Sequence, residues 1–186
     1  MNLSNVLTLL RIVLTVFFVV VMSAQSHFAH SMALVIFALA SLTDWIDGYI
    51  ARRYESCTSF GHFMDPLADK ILVAAALILL IPVGALPPWV VILIITREFI
   101  ITGLRLLALD QGVVIATDRL GKQKTFAQLL TILFYLFLLS AENFLHAPWI
   151  SWSWRKLGPF LIGVTLFFTI YSGLLYVWNH RKLFYQ

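Results

Sequence analysis

Charge is scarce in this sequence. Of 186 residues only 12% are Asp, Glu, Lys or Arg, while 61% are hydrophobic. A soluble domain carries about a quarter charged residues, so this composition excludes one. Alternation of apolar and polar positions is missing too. The apolar runs are continuous, which argues against a transmembrane barrel and for helices. Cysteine is almost absent: Cys57 stands alone, and no intrachain disulfide can form. The opening stretch MNLSNVLTLLRIVLTVFFVVVM lacks both a basic start and a small-residue cleavage site. It is therefore expected to be a retained first helix. There is no internal repeat and no low-complexity tract. The histidines, His27, His30, His62, His146 and His180, show no metal-ligand spacing. No Ser, Cys or His stands out as a covalent nucleophile.

What is present is a series of apolar segments long enough to cross a bilayer, about 20 residues each. The expected fold is an all-α integral membrane protein, a single domain over 1–186 with six transmembrane helices. They are placed near 5–23, 31–53, 63–82, 88–109, 122–141 and 157–180. The stretches SAQSHFAHS, PVGALPP and HAPWISWSWRKLGP mark breaks, and 110–121 is polar enough for a loop. Most tryptophans fall near helix ends, as in an interfacial belt. Arg52, Arg53, Lys70, Arg105, Arg119, Lys122, Lys124, Arg181 and Lys182 fall at one set of ends, and only Arg155 and Lys156 dissent. By the positive-inside bias both termini are cytoplasmic. The net charge of +4 suits an anionic leaflet or anionic substrates without choosing between them.

Against this background residues 44–70, DWIDGYIARRYESCTSFGHFMDPLADK, hold four aspartates. A carboxylate in hydrocarbon is costly, so intramembrane acids point to function. Asp44 and Asp47 are three apart and share a helix face, with Gly48 and Ala51 on nearly the same face. Asp65 and Asp69 are four apart on the next helix. A connection of about ten residues containing Gly61 would fold the two helices side by side. Four carboxylates converging would repel unless protonated or bridged by metal. Oxygen ligands alone suit Mg²⁺, Mn²⁺ or Ca²⁺ rather than zinc.

The pattern Asp44-x2-Asp47-Gly48-x2-Ala51-Arg52-x8-Gly61-x3-Asp65-x3-Asp69 resembles the signature of the CDP-alcohol phosphotransferase family, at all eight specified positions. That resemblance implies transfer from a CDP-alcohol, often CDP-diacylglycerol, to an acceptor alcohol with release of CMP. It implies a site for two Mg²⁺ or Mn²⁺ ions held by Asp44, Asp47, Asp65 and Asp69. Asp69 would be chiefly the catalytic base that takes the acceptor proton. Asp44, Gly48, Ala51 and Arg52 would bind the CDP moiety. A homodimer in the bacterial inner membrane, among membrane lipid and with no nucleic-acid partner, is implied as well.

A second stretch, TREFIITGLRLLALDQGVVIATDRLGKQKTFAQ at 96–128, concentrates basic residues. Arg97 and Arg105 lie in an otherwise apolar helix, where each needs a partner or must snorkel. Glu98 is a candidate partner. Lys122 and Lys124 open the fifth helix, whose N-terminus also favours anions. Such a grouping suggests a phosphate pocket. The stretch is similar to the branch of the family whose acceptor is sn-glycerol 3-phosphate. By that resemblance Arg97, Arg105 and Lys122 hold the acceptor phosphate, with Thr43, Glu98 and Lys124 nearby, and the product is phosphatidylglycerophosphate. An inositol-phosphate acceptor needs a similar basic pocket. A divalent-cation transporter would explain the aspartates but has no use for Gly48, Ala51 and Arg52.

Overall fold

The computed structural model describes the backbone of residues 3–24, 26, 28–54, 59–110, 119–145 and 147–179, and the side chains of these segments except at 3–7, 44–54, 59–66, 69, 109–110, 119–120 and 179. Among the described residues every regular element is a helix: α1 (Leu3–Ser23), α2 (Ala29–Tyr54), α3 (Ser59–Leu79), α4 (Pro88–Asp110), α5 (Arg119–Phe144) and α6 (Pro148–Asn179). Proline opens α4 and α6, where its missing N–H costs nothing and its φ is already helical. The turn before α4 reverses at Gly84, whose φ of 74° is left-handed and suits glycine.

Two expectations are corrected. The connection between α2 and α3 is residues 55–58, not about ten residues, so Gly61 belongs to α3. The stretch read as a break around 146–159 is mostly helix, because α6 starts at Pro148 and runs through Pro159. Its first turns carry no breaker after Pro148. Ile150, Ser153 and Gly158 are buried, and Trp154 meets Tyr135 of α5 edge-on at 5.1 Å between ring centroids. That helically spaced face packs on α5, and packing outweighs the Gly-Pro signal.

The core follows the same logic. Ala33, Phe37 and Ala40 of α2 are fully buried at helical spacing. Ala76 of α3 is buried likewise. Small residues of this kind let helix backbones approach. The opposite faces are apolar instead of polar: Val16, Phe17 and Val20 of α1, Val35 and Leu39 of α2, and Phe160, Phe167 and Leu174 of α6 are exposed. An apolar belt this extensive does not occur on a soluble monomer. Among the described residues Gly121–Phe144 and Pro148–Trp178 are long and apolar enough to cross a bilayer, and Thr8–Ser23, Ala29–Thr43 and Lys70–Leu79 are shorter apolar stretches. The molecule is a helical membrane protein.

Hydrogen bonds between helices tie the bundle together. At one end the Ser31 and Ser140 hydroxyls are 2.7 Å apart and His30 Nδ1 lies 3.2 Å from Asn143 Nδ2; further along α5 the Thr131 and Thr165 hydroxyls are 2.9 Å apart.

Candidate active site

Contacts between helices set the relative depth of several polar positions. Phe18 of α1 meets Phe37 of the antiparallel α2, ring centroids 5.7 Å apart. Counting seven residues further along each helix, about 10 Å at 1.5 Å per residue, sets Arg11 level with position 44. Phe28, just before α2, and Ser31 of α2 meet Phe144 and Ser140 of α5. The same counting sets Gln128 and Lys124 level with positions 43–47. The two signature helices match as well. Asp44 is ten residues before Tyr54, where α2 ends, and Asp69 is ten after Ser59, where α3 begins. Asp47 and Asp65 are seven and six residues from those ends.

The side chains of Asp44, Asp47, Gly48, Ala51, Arg52, Asp65 and Asp69 lie outside the described residues. Their donor set is carboxylate oxygen alone, which fits a hard divalent cation. Among the described residues no other cluster of three or more His, Cys, Asp or Glu could hold a metal.

The basic stretch is described in detail. Glu98 of α4, 7% exposed, is its hub. Lys70 Nζ lies 3.1 Å from Glu98 Oε2, Arg97 Nη1 donates to Oε1 at 3.3 Å, and Lys124 Nζ donates to Oε1 as well. Gln128 Nε2 approaches the same oxygen at 3.5 Å. Lys124 is 3% exposed, so it is not an interfacial anchor. Lys70, Arg97 and Lys124 thus share one carboxylate, a grouping of cations of the kind that binds a phosphate monoester. Lys70, Glu98, Thr125 and Gln128 also line one cavity between α3, α4 and α5.

Arg97 has a second partner that its own helix does not supply. Its Nη2 donates to Ser172 Oγ of α6 at 3.0 Å. Arg105 sits with its guanidinium carbon 5.5 Å from the centroid of the Tyr176 ring, a cation–π distance. Lys122 is exposed, about 200° around α5 from Lys124 by helix geometry. Thr43 is half-buried, and its hydroxyl donates to the Leu39 carbonyl of its own helix at 2.7 Å. The structure therefore gathers Arg97, Glu98 and Lys124 into one cluster, with Arg105 further along the same α4–α6 seam. It leaves Lys122 and Thr43 on other faces.

Sequence reasoning missed several members. Lys70 was noted only for orientation, yet it ties α3 to the Glu98 cluster one residue beyond Asp69. Arg11 is 3% exposed on α1, flanked by the buried Thr8 and Thr15, at the depth of the signature. The spacing Thr8–Arg11–Thr15 on an apolar helix is a polar stripe that could have revealed it. Ser172, Gly173 and Tyr176 carry no sequence signal beyond their place in an apolar helix.

A helical membrane protein with a four-aspartate motif in its sequence and three cations gathered on one buried carboxylate has the parts of a phosphoryl-transfer enzyme acting at a lipid boundary. The CDP-alcohol phosphatidyltransferase family model matches residues 1–171, and the chain belongs to that family. It is 41% identical over 186 aligned residues to the CDP-diacylglycerol–glycerol-3-phosphate 3-phosphatidyltransferase of Bacillus subtilis, covering 92% of this chain and 91% of the relative. It is 35% identical to the protein of the same description from Salmonella paratyphi A, covering 96% of this chain and 90% of the relative. For that from Rickettsia bellii the identity is 32%, over 98% and 97% of the two chains.

Proposed function

We propose that this enzyme transfers the phosphatidyl group of CDP-diacylglycerol to sn-glycerol 3-phosphate, yielding phosphatidylglycerophosphate and CMP. The relatives' descriptions support both substrates. The observation that carries the acceptor is the Glu98 cluster. Lys70, Arg97 and Lys124 meet on one carboxylate there, and Lys70 joins the cluster to α3, next in the chain to Asp69.

In this reading Asp44, Asp47, Asp65 and Asp69 hold two ions of Mg²⁺ or Mn²⁺. When bound, these would offset the diphosphate charge and that of the departing CMP oxygen. Arg52 contacts the CDP phosphates, and Gly48 and Ala51 leave space for the cytidine. Arg97 and Arg105 orient the acceptor phosphate, with Lys124 beside Arg97 on Glu98. Asp69 takes the proton of the attacking hydroxyl as its oxygen bonds to the β-phosphorus and the bond from that phosphorus to the CMP oxygen breaks. Direct displacement of this kind needs positioning and charge stabilisation above all. The proposal includes six membrane-crossing helices, both termini and the site on the cytoplasmic side of a bacterial inner membrane, and a homodimer.

The test is CMP release from CDP-diacylglycerol by the purified protein with a panel of acceptors. Glycerol 3-phosphate should support turnover, EDTA should abolish it, and Mg²⁺ or Mn²⁺ should restore it. Turnover with inositol phosphate alone would reassign the acceptor. Mg²⁺ flux into proteoliposomes without CMP release would replace the enzyme with a transporter. Asp69→Asn should lose turnover by about 10²-fold or more, the scale of a general base, while still binding CDP-diacylglycerol. Loss of that binding would make Asp69 chiefly a metal ligand.

A further inference from the structure

We propose that Ser172 and Gly173 of α6 are positioning residues that preset the Arg97 guanidinium for the acceptor phosphate. The inference rests on the reading of Arg97 as a phosphate ligand. It adds that α6 decides how that ligand is presented.

The geometry is specific. Arg97 is gripped at two of its nitrogens from two helices: Glu98 Oε1 accepts from Nη1 at 3.3 Å and Ser172 Oγ accepts from Nη2 at 3.0 Å. The Ser172 hydroxyl donates its own proton to the carbonyl of Phe168. This leaves its oxygen only the accepting role. Gly173 then lets the arginine stem lie on the α6 backbone. A Cβ at that position would stand 3.2 Å from Arg97 Nε and 3.3 Å from Cγ, closer than ordinary contact. Arg97 Nε is buried without a hydrogen-bond partner. Of the five N–H donors of a guanidinium, two are committed and Nε–H is shut against Gly173, which leaves the second N–H of each Nη. Fixing the plane while leaving a donor on each Nη is what preorganised recognition of a phosphate requires. The family-model match ends at residue 171, just short of both residues.

Two ordinary roles compete. A serine in an apolar helix commonly bonds back to a carbonyl one turn earlier, and a glycine commonly allows close helix packing. Either role alone predicts loss of stability that weakens both substrates alike. Positioning predicts a split.

The experiment uses the full chain in lipid nanodiscs, with Ser172→Ala, Ser172→Thr, Gly173→Ala and Arg97→Ala. It reads KM for each substrate, kcat and the thermal midpoint. Ser172→Ala and Gly173→Ala are expected to raise KM for glycerol 3-phosphate about 5- to 20-fold, the scale of one hydrogen bond to a charged group. KM for CDP-diacylglycerol should change less than about 2-fold on the same reasoning. Ser172→Thr keeps the hydroxyl and should restore the acceptor KM. In an Arg97→Ala background, Ser172→Ala should add nothing, because the two act as one unit. If Arg97→Ala itself leaves the acceptor KM unchanged, the phosphate-ligand reading falls and this inference with it. If Arg97→Ala raises it and both α6 variants leave it alone, only the positioning role is overturned. Equal shifts in both KM values together with a lowered midpoint also overturn it, in favour of packing.

Discussion

Glu98 balances a cluster that would otherwise repel itself. Without it, Lys70, Arg97 and Lys124 face one another with little water to screen them. Removing one partner of a buried ion pair costs about 3–5 kcal/mol, because the other charge is left uncompensated. Glu98→Gln removes the carboxylate that three cations share. Lys124→Met leaves Glu98 with two. Glu98→Gln should therefore lower the thermal midpoint in detergent more than Lys124→Met does; the reverse order would show that the cluster is not organised around the carboxylate. Sequence reasoning named Glu98 as a partner for an arginine, and Arg97 Nη1 does donate to it. That a side chain 26 positions away, Lys124, shares the same oxygen could not be read from spacing, since it depends on how α4 and α5 are docked.

At the scale of elements, α6 carries the largest departure from the sequence reading. Gly158 and Pro159 look like a break, yet the helix passes through them. In a membrane bundle neighbouring helices stabilise such a passage. Gly158 faces Tyr135 of α5, and a Cβ there would collide with the phenol hydroxyl and stand 3.0 Å from its ring carbon Cζ. Gly158→Ala should cost about 1–3 kcal/mol by overpacking. In a Tyr135→Phe background the penalty should shrink, because the colliding oxygen is gone. Thermal midpoints of the two singles and the double check this. Additive losses would mean that the contact does not limit α5–α6 packing. The same helix presents Ser172 to Arg97 and Tyr176 to Arg105, so its lower half serves packing and its upper half serves the cluster.

For the whole molecule, the proposed orientation has a simple handle. Cys57 is the sole cysteine, and the chain places it between the ends of α2 and α3. With the basic residues inside, a membrane-impermeant maleimide should label Cys57 in inside-out vesicles and not in sealed right-side-out cells. Labelling from outside would invert the proposed topology. The apolar belt predicts in addition that the protein stays with the membrane pellet after an alkaline carbonate wash, which strips proteins held by charge alone.

Composition and spacing were enough to establish a helical membrane protein, most helix positions and the eight-residue aspartate signature. These depend on local or periodic properties, namely run length, i,i+3 and i,i+4 faces and turn residues. They were also enough to mark 96–128 as a segment rich in basic residues. What they could not supply was which of its cations meet. Lys122 and Lys124 are two residues apart, yet one is exposed and the other sits on Glu98, because the docking of α5 against α4 selects a face. Arg11 and Lys70 join the charged level, and Ser172 and Gly173 the arginine, only through helix register and close approach between segments distant in the chain. The aspartate signature is written along two neighbouring helices and can be read in one dimension. The cradle that presents Arg97 exists only once α4 and α6 lie side by side.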